Sequence, residues 1–332
     1  MPWLGVRAPS SEPSASHDAA ATGIIQVVPP QRSTSSRPRP PRRRPPKRRR
    51  RINPLILGIV AIVVVVGAIG LATRGSDAPA AKATADPVIP TVTAAAADLA
   101  TQLGPRDQEL VSIGAKGVSI HRAGGRRKVV ALTFDDGPGK DTPAILSILK
   151  QYDVPATFFV VGQAVKESPG MVAQEIAQGH QIGIHTWSHP DLTKLPAAKQ
   201  QQEIVDTQNA IINDSGVASR LFRAPYGAVD PSVIATAEKN KLLSVLWEGD
   251  TNDWQRPDVN TIVQRVVSEV SPGTIILMHD GGGDRANTVA ALPTIIKELK
   301  KQGYGFATVG DLVVSDPPGP SDMSVDGKGV SE

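Results

Sequence analysis

The sequence predicts an α/β fold. It is read as a closed or partly closed barrel of about seven parallel strands, preceded by a single transmembrane helix and a disordered basic tail. Three observations predict it. From Lys128 onward, short apolar runs alternate with longer segments of helical periodicity, the pattern that builds parallel strands with helices packed outside. Seven such runs fall within about 185 residues, a density that suits a barrel more than an open sheet. One uncharged stretch, 54–72, stands apart from this alternation.

Residues 1–52 are rich in Pro, Ser, Arg and Ala and show no apolar periodicity. Such a segment buries too little surface to offset its ordering entropy, so the reading is a disordered tail on the cytoplasmic side. It holds 12 Lys and Arg against 2 acidic residues, while the rest of the chain holds 24 against 30. The basic net charge of +4 therefore belongs to the tail. The mildly acidic remainder argues against a nucleic-acid partner.

Pro54 to Ala72 reads PLILGIVAIVVVVGAIGLA, 19 residues without a charge. At about 1.5 Å per residue it is long enough to cross a hydrocarbon core of about 30 Å. The Arg-rich run before it sets the topology by the positive-inside rule: residues 53–72 span the membrane and residues 73–332 lie outside the cytoplasm. Ala78-Pro79-Ala80 resembles a signal-peptide cleavage site. The basic region ahead of the apolar stretch is far longer than a signal peptide carries, which favours a retained single-pass anchor.

Residues 73–125, rich in Ala, Thr, Asp, Pro and Gly, read as an extracytoplasmic linker. Its last part, from about 104, is open to an extra strand or hairpin. The folded domain is set at 126–312. Its expected strands are 128–134, 156–161, 181–186, 220–223, 242–248, 274–279 and 305–309, and its expected helices 141–151, 168–178, 197–214, 231–239, 259–270 and 287–302. Asp141 before Pro143, Asp230 before Pro231, and Asp258 read as helix start signals. Gly179 and Gly303 sit where helix-ending glycines belong. Residues 313–332 read as a disordered C-terminal tail.

The polar residues fall at the C-terminal ends of the expected strands, where barrel folds collect their chemistry. Thr133-Phe134-Asp135-Asp136-Gly137 ends the first, and two adjacent carboxylates there are costly without partners. His185-Thr186-Trp187-Ser188-His189 ends the third. Arg223-Ala224-Pro225-Tyr226, Asp250-Thr251-Asn252-Asp253-Trp254 and Leu277-Met278-His279 end the next three. Two imidazoles four residues apart either converge on a metal or are satisfied core histidines. With a carboxylate from Asp136 the set becomes two His and one Asp, a three-ligand site for Zn²⁺ or a similar divalent ion with room for water. The chain has no cysteine, which excludes thiolate ligands, disulfides and a cysteine nucleophile.

These five motifs, in this order, resemble the polysaccharide deacetylase family, also called the NodB-homology or carbohydrate esterase 4 family, and within it the peptidoglycan N-acetylglucosamine deacetylases. The resemblance covers 126–312 and implies a distorted (β/α) barrel. It implies that Asp135 is the general base and that Arg223 keeps it charged. Asp136, His185 and His189 would hold one divalent metal, Zn²⁺ first, with Co²⁺ or Ni²⁺ as substitutes. The Tyr226 N–H would stabilise the oxyanion. His279, paired with Asp253, would be the general acid. Tyr226, Trp254, Leu277 and Trp187 would shape the substrate pocket. Asp280 and Asp284 are read as rim residues, Asp250 as loop-stabilising and His180 as structural. The implied activity is hydrolysis of the amide that carries an acetyl group on N-acetylated sugars of an envelope polysaccharide, peptidoglycan first. Chitin-oligomer and acetyl-xylan deacetylation are alternatives, as is a non-catalytic carbohydrate-binding protein of the same fold.

Overall fold

The computed structural model describes residues 103–325. The expected basic tail (1–52), transmembrane segment (53–72) and first part of the linker lie outside them. Among the described residues, no helix is long and apolar enough to cross a membrane.

The domain is a curled α/β sheet with helices on its outside. The strands at its centre are β2 (Val129–Asp135), β3 (Thr157–Val160), β4 (Gln181–Ile184), β5 (Leu221–Phe222), β6 (Leu243–Val245) and β8 (Ile275–His279). All of them pair in parallel, in the order β6-β5-β4-β3-β2-β8. Six of the seven residues of β2 are buried. A strand covered by helices on one side and by the curled sheet's interior on the other has no polar face, hence the unbroken apolar run. Phe134 on β2 stacks on Phe158 of β3 with ring centroids 5.1 Å apart.

Further short strands flank these six. β1 (Ser119–Ile120) lies parallel beside β6, β7 (Gly249–Asp250) beside β8, and β9 (Gly305–Phe306) beside the start of β2. A single antiparallel bridge between Arg122, just past β1, and Thr274, just before β8, brings the two ends of the curled sheet together.

The longer helices bury apolar residues along one stripe. The helix Ala286–Lys301 buries Thr288, Ala291, Leu292, Ile295, Ile296 and Leu299, spaced by three and four residues. Helix Pro231–Lys239 starts as expected, with Asp230 accepting the Val233 N–H. Asp258 does the same for Thr261. Asp141 does not: it precedes the helix Thr142–Tyr152 without capping it, and its carboxylate instead accepts the Arg285 N–H at 2.9 Å.

The structure corrects the sequence reading at both ends of the domain. Before it, Pro105–Gly114 is a helix and Ser119–Ile120 a strand, so the folded unit takes in much of the expected linker. After it, Val309–Ser315 is a helix that packs on Pro105–Gly114. Met323–Ser324 then pairs antiparallel with β1. The expected tail from 313 is therefore structured as far as 325. Its Pro, Gly, Ser and Asp content reads as disorder, yet the apolar residue at its start, Val313, is fully buried. A further helix, Gly162–Glu167, escapes periodicity because it is only six residues long.

Candidate active site

Strand register does most of the placing. Asp135 ends β2 directly opposite His279 at the end of β8. His185 follows β4, and its N–H donates to the Val160 carbonyl at 2.9 Å. Arg223 follows β5, and its N–H donates to Ile184 at 2.9 Å. All of them thus gather at one end of the sheet. They open on a cavity of about 450 Å³ whose wall includes Asp135, Asp136, His185, His189, Tyr226 and His279.

Asp135 and Arg223 form a buried ion pair. Nη1 of Arg223 donates to Asp135 Oδ1 at 2.7 Å and to Thr133 Oγ1 at 2.8 Å. Its Nε and Nη2 donate to the carbonyls of Val245 and Leu246 at 3.1 and 3.0 Å. The guanidinium is fully buried and the Asp135 side chain is 3% exposed. Arg223 also lies over the Phe159 ring, 4.0 Å from its centroid. Burial pulls its pKa below the ordinary arginine value, and the Asp135 carboxylate opposes that pull.

Asp136, His185 and His189 form one cluster, with their candidate ligand atoms all within 4.8 Å of one another. His185 Nε2 lies 3.5 Å and His189 Nε2 3.2 Å from Asp136 Oδ1. The donor chemistry fits a cation. His185 Nδ1 is 2.8 Å from the Arg223 carbonyl oxygen, which can only accept, so Nδ1 carries the proton. Burial lowers the His185 pKa, against the attraction of Asp135 and Asp136, which leaves the ring neutral. Its Nε2 lone pair then faces Asp136 Oδ1, a buried atom without a hydrogen bond. A lone pair set against a carboxylate oxygen is repulsive unless a positive ion sits between them, and outer-sphere fixing of the other ring nitrogen is the usual companion of a metal-binding imidazole. For Asp136, burial acts to raise the pKa. The His189 contact and the nearby His279 charge act against it, and the carboxyl stays below the usual range.

His279 and Asp253 form the second pair. Nδ1 of His279 lies 2.7 Å from Asp253 Oδ1, and the His279 N–H donates to Oδ2 at 2.9 Å. Thr288 Oγ1 donates to the same Oδ2 at 2.7 Å. Burial acts to lower the pKa of His279, but the Asp253 hydrogen bond and charge prevail and raise it. Asp253, in turn, is lowered despite its burial by the same partner. The result is an imidazolium-favouring dyad, with His279 on the cavity wall beside Asp135.

The pocket residues divide. Tyr226 is 69% and Trp254 52% exposed, both on the cavity wall, and Leu277 lies buried in it. The Tyr226 ring packs edge-on against His189 with centroids 4.8 Å apart. Trp187 is not brought in. It lines a separate groove with Lys166, Asn209 and Asn213, and its ring fills the space where Gly162 has no side chain. Backbone torsion explains this: Thr186 has φ 67°, so the direction of the next side chain does not follow strand alternation. Asp136 (φ 72°), His189 (φ 59°) and Tyr226 (φ 62°) share that left-handed conformation. Strained backbone of this kind concentrates where side chains must be aimed.

Two aspartates differ from their expected roles. Asp280 is not a rim residue but 1% exposed. It accepts from Thr142 Oγ1 and packs where Gly137 has no Cβ. Burial raises its pKa to about 7, helped by Asp136 and Asp135 and opposed by Thr142. Asp250 does stabilise its loop, accepting the Asn252 N–H at 2.7 Å, but it also lines the cavity. Asp284 stays on the surface, paired with Lys140 at 3.0 Å. His180 is structural as expected: its Nδ1 accepts the Ala156 N–H at 3.2 Å, and burial lowers its pKa to about 4.

Sequence reasoning missed Trp247, Asn252 and Arg285 in the cavity wall. Arg285 is buried, its Nε and Nη2 donating to the carbonyls of Gly281 and Gly282 at 2.7 and 3.1 Å. The run Gly281-Gly282-Gly283 was the available signal, since side chains on the first two would collide with Asp136.

Comparison with known proteins agrees with this geometry. The family model described as polysaccharide deacetylase matches residues 122–245. A peptidoglycan-N-acetylglucosamine deacetylase of Bacillus cereus is 42% identical over 189 residues, 56% of this chain and 88% of that one. One from Listeria monocytogenes is 41% identical over 186 residues, and there the chain spans only 39% of the relative's length. A chitooligosaccharide deacetylase of Sinorhizobium fredii is 38% identical over 198 residues, covering 56% of this chain and 92% of that one. Among solved structures, a peptidoglycan N-acetylglucosamine deacetylase in complex with a naphthalenyl N-oxidanyl-benzamide superposes with a TM-score of 0.57 at 35% identity, covering 58% of this chain and 92% of that chain.

Proposed function

The chain belongs to the polysaccharide deacetylase family, and from that premise we propose that it is a metal-dependent hydrolase. It removes acetyl groups from N-acetylated sugars of a cell-envelope polysaccharide, with peptidoglycan N-acetylglucosamine as the first candidate. The observation that carries the reading is the convergence, in one cavity, of a His–His–Asp cluster, an Arg-paired carboxylate and an Asp-paired histidine.

The geometry supports the following roles. Asp136, His185 and His189 would hold the ion, Zn²⁺ by donor type. When bound, a divalent ion acidifies water and polarises a carbonyl. Asp135, faced by Arg223, takes the proton from the attacking water. The Tyr226 N–H, set by its left-handed turn, donates to the oxygen that gains charge as the amide carbonyl is attacked. His279, held protonated by Asp253, delivers its proton from Nε2 to the departing amine, because Nδ1 is engaged. Tyr226, Trp254 and Leu277 offer apolar surface to the sugar face and the acetyl methyl.

The 53–72 segment is read as a single-pass anchor in the cell membrane, with the N-terminus cytoplasmic and the catalytic domain outside. That topology favours a wall polymer over an intracellular sugar. Acetate release is the test of function. The full chain is offered peptidoglycan, chitin oligomers and acetylated xylan in parallel. Release from peptidoglycan above the others supports the reading, release from chitin oligomers alone reassigns the polymer, and release from none leaves a carbohydrate-binding role. Protease protection of the tail, with cleavage of the folded domain in intact cells, is the outcome expected for the topology.

A further inference from the structure

The turn that carries the two histidines of the cluster is held by a residue outside every motif. Glu203 sits on the helix Ala197–Ser215, 14 residues past the turn in sequence. Its Oε2 accepts the N–H groups of both Trp187 and Ser188, each at 2.8 Å, and its Oε1 accepts Ser188 Oγ at 2.8 Å. These are the two residues between Thr186 and His189. Both of those flanking residues are at positive φ, a conformation a β-branched threonine resists and keeps only when its surroundings over-determine it.

The surroundings do so from two sides. Backbone N–H groups of Gly162 and Gln163 donate to the carbonyls of Thr186 and Trp187, each at 3.0 Å. Thr186 Oγ1 accepts the His189 N–H at 3.1 Å. The carbonyls are thus held by one helix start, and the intervening N–H groups by one carboxylate. A carboxylate that takes two consecutive N–H groups fixes the direction in which that stretch of backbone turns.

We propose that Glu203 is a positioning residue for the metal cluster: by clamping the Trp187–Ser188 backbone it sets the distance and angle at which His189 meets His185 and Asp136. It touches neither the substrate cavity nor a ligand side chain, and it acts through the turn. The inference rests on the metal-binding reading of the cluster given above.

The test compares Glu203→Ala, Glu203→Gln and the unaltered full chain by Zn²⁺ competition against a chromophoric chelator, alongside the urea midpoint of each metal-free protein. Removing the clamp should weaken Zn²⁺ binding by about ten- to a hundredfold, the usual effect of losing an outer-sphere partner. Glutamine should restore affinity to within about threefold, because its oxygen still accepts both N–H groups and its amide can donate to Ser188 Oγ. Equal Zn²⁺ affinity in Glu203→Ala and the unaltered chain, with only the urea midpoint lowered, would make Glu203 an ordinary stabilising residue and overturn the proposal. Glutamine behaving like alanine would also overturn it, since charge and not the clamp would then matter. Failure of the unaltered chain to bind Zn²⁺ would instead remove the metal reading itself.

Discussion

Replacing Arg223 with methionine should cost far more stability than its single ion pair suggests, and the cost should depend on Asp135. Methionine fills most of the aliphatic volume but leaves Asp135 Oδ1 without its donor at a site only 3% exposed. The same change orphans the Val245 and Leu246 carbonyls that Nε and Nη2 satisfy. Removing one member of a buried, hydrogen-bonded pair costs about 3–5 kcal/mol, most of it the penalty for the charge left behind. With about 2–4 °C of melting temperature per kcal/mol for a domain of this size, the midpoint should fall by about 6–20 °C. Asp135→Asn in the same background removes the stranded charge. The double variant should therefore be more stable than the sum of the single effects predicts, by at least about 2 kcal/mol. Urea unfolding of the metal-free proteins at one pH supplies the cycle, since bound metal would add its own stabilisation. Single effects that add to within about 0.5 kcal/mol would refute the charge-pair account.

Other expectations rest on the same contacts. Asp253→Asn removes the cause that raises the His279 pKa, so the alkaline limb of the kcat–pH profile should move to lower pH. An unmoved limb would mean that another group is the acid. Asp280 is raised from 3.8 to about 7 in the folded protein. The folded state therefore holds a proton that the unfolded state releases. Metal-free stability should fall as pH rises from about 4 to 7 and level off above, and Asp280→Asn should flatten that slope when urea midpoints are compared at pH 5 and pH 8. Trp254→Ala removes a half-exposed ring from the cavity wall. It should raise KM for polymer several-fold with little change in urea stability, and a loss confined to kcat would assign the ring to the chemistry instead.

The sequence made most of the site legible because the chemistry sits at strand ends. Once β2, β4, β5 and β8 are placed, parallel pairing brings Asp135, His185, Arg223 and His279 together. What stayed illegible depends on torsions and long-range partners. Trp187 shares a motif with two cavity histidines yet turns away, because Thr186 lies at φ 67°. Asp280 comes directly after His279, but strand alternation sends it to the other side, into space left open by Gly137. Arg285 and Glu203 act on backbone groups of loops, contacts that no local pattern announces. The strand at 323–324 was hidden for a similar reason: two residues of ordinary composition gain their role only from pairing with β1.

In the proposed function, Asp136, His185 and His189 hold a divalent ion, and Asp135 and His279 carry out the deacetylation. The most direct measurement is acetate release from peptidoglycan by the full chain, before chelation, after chelation and after Zn²⁺ is returned. Activity should vanish on chelation, recover with Zn²⁺, and stay absent in Asp136→Ala and in Asp135→Asn under all three conditions. Acetate release that survives chelation, or that persists in Asp135→Asn, would contradict the account.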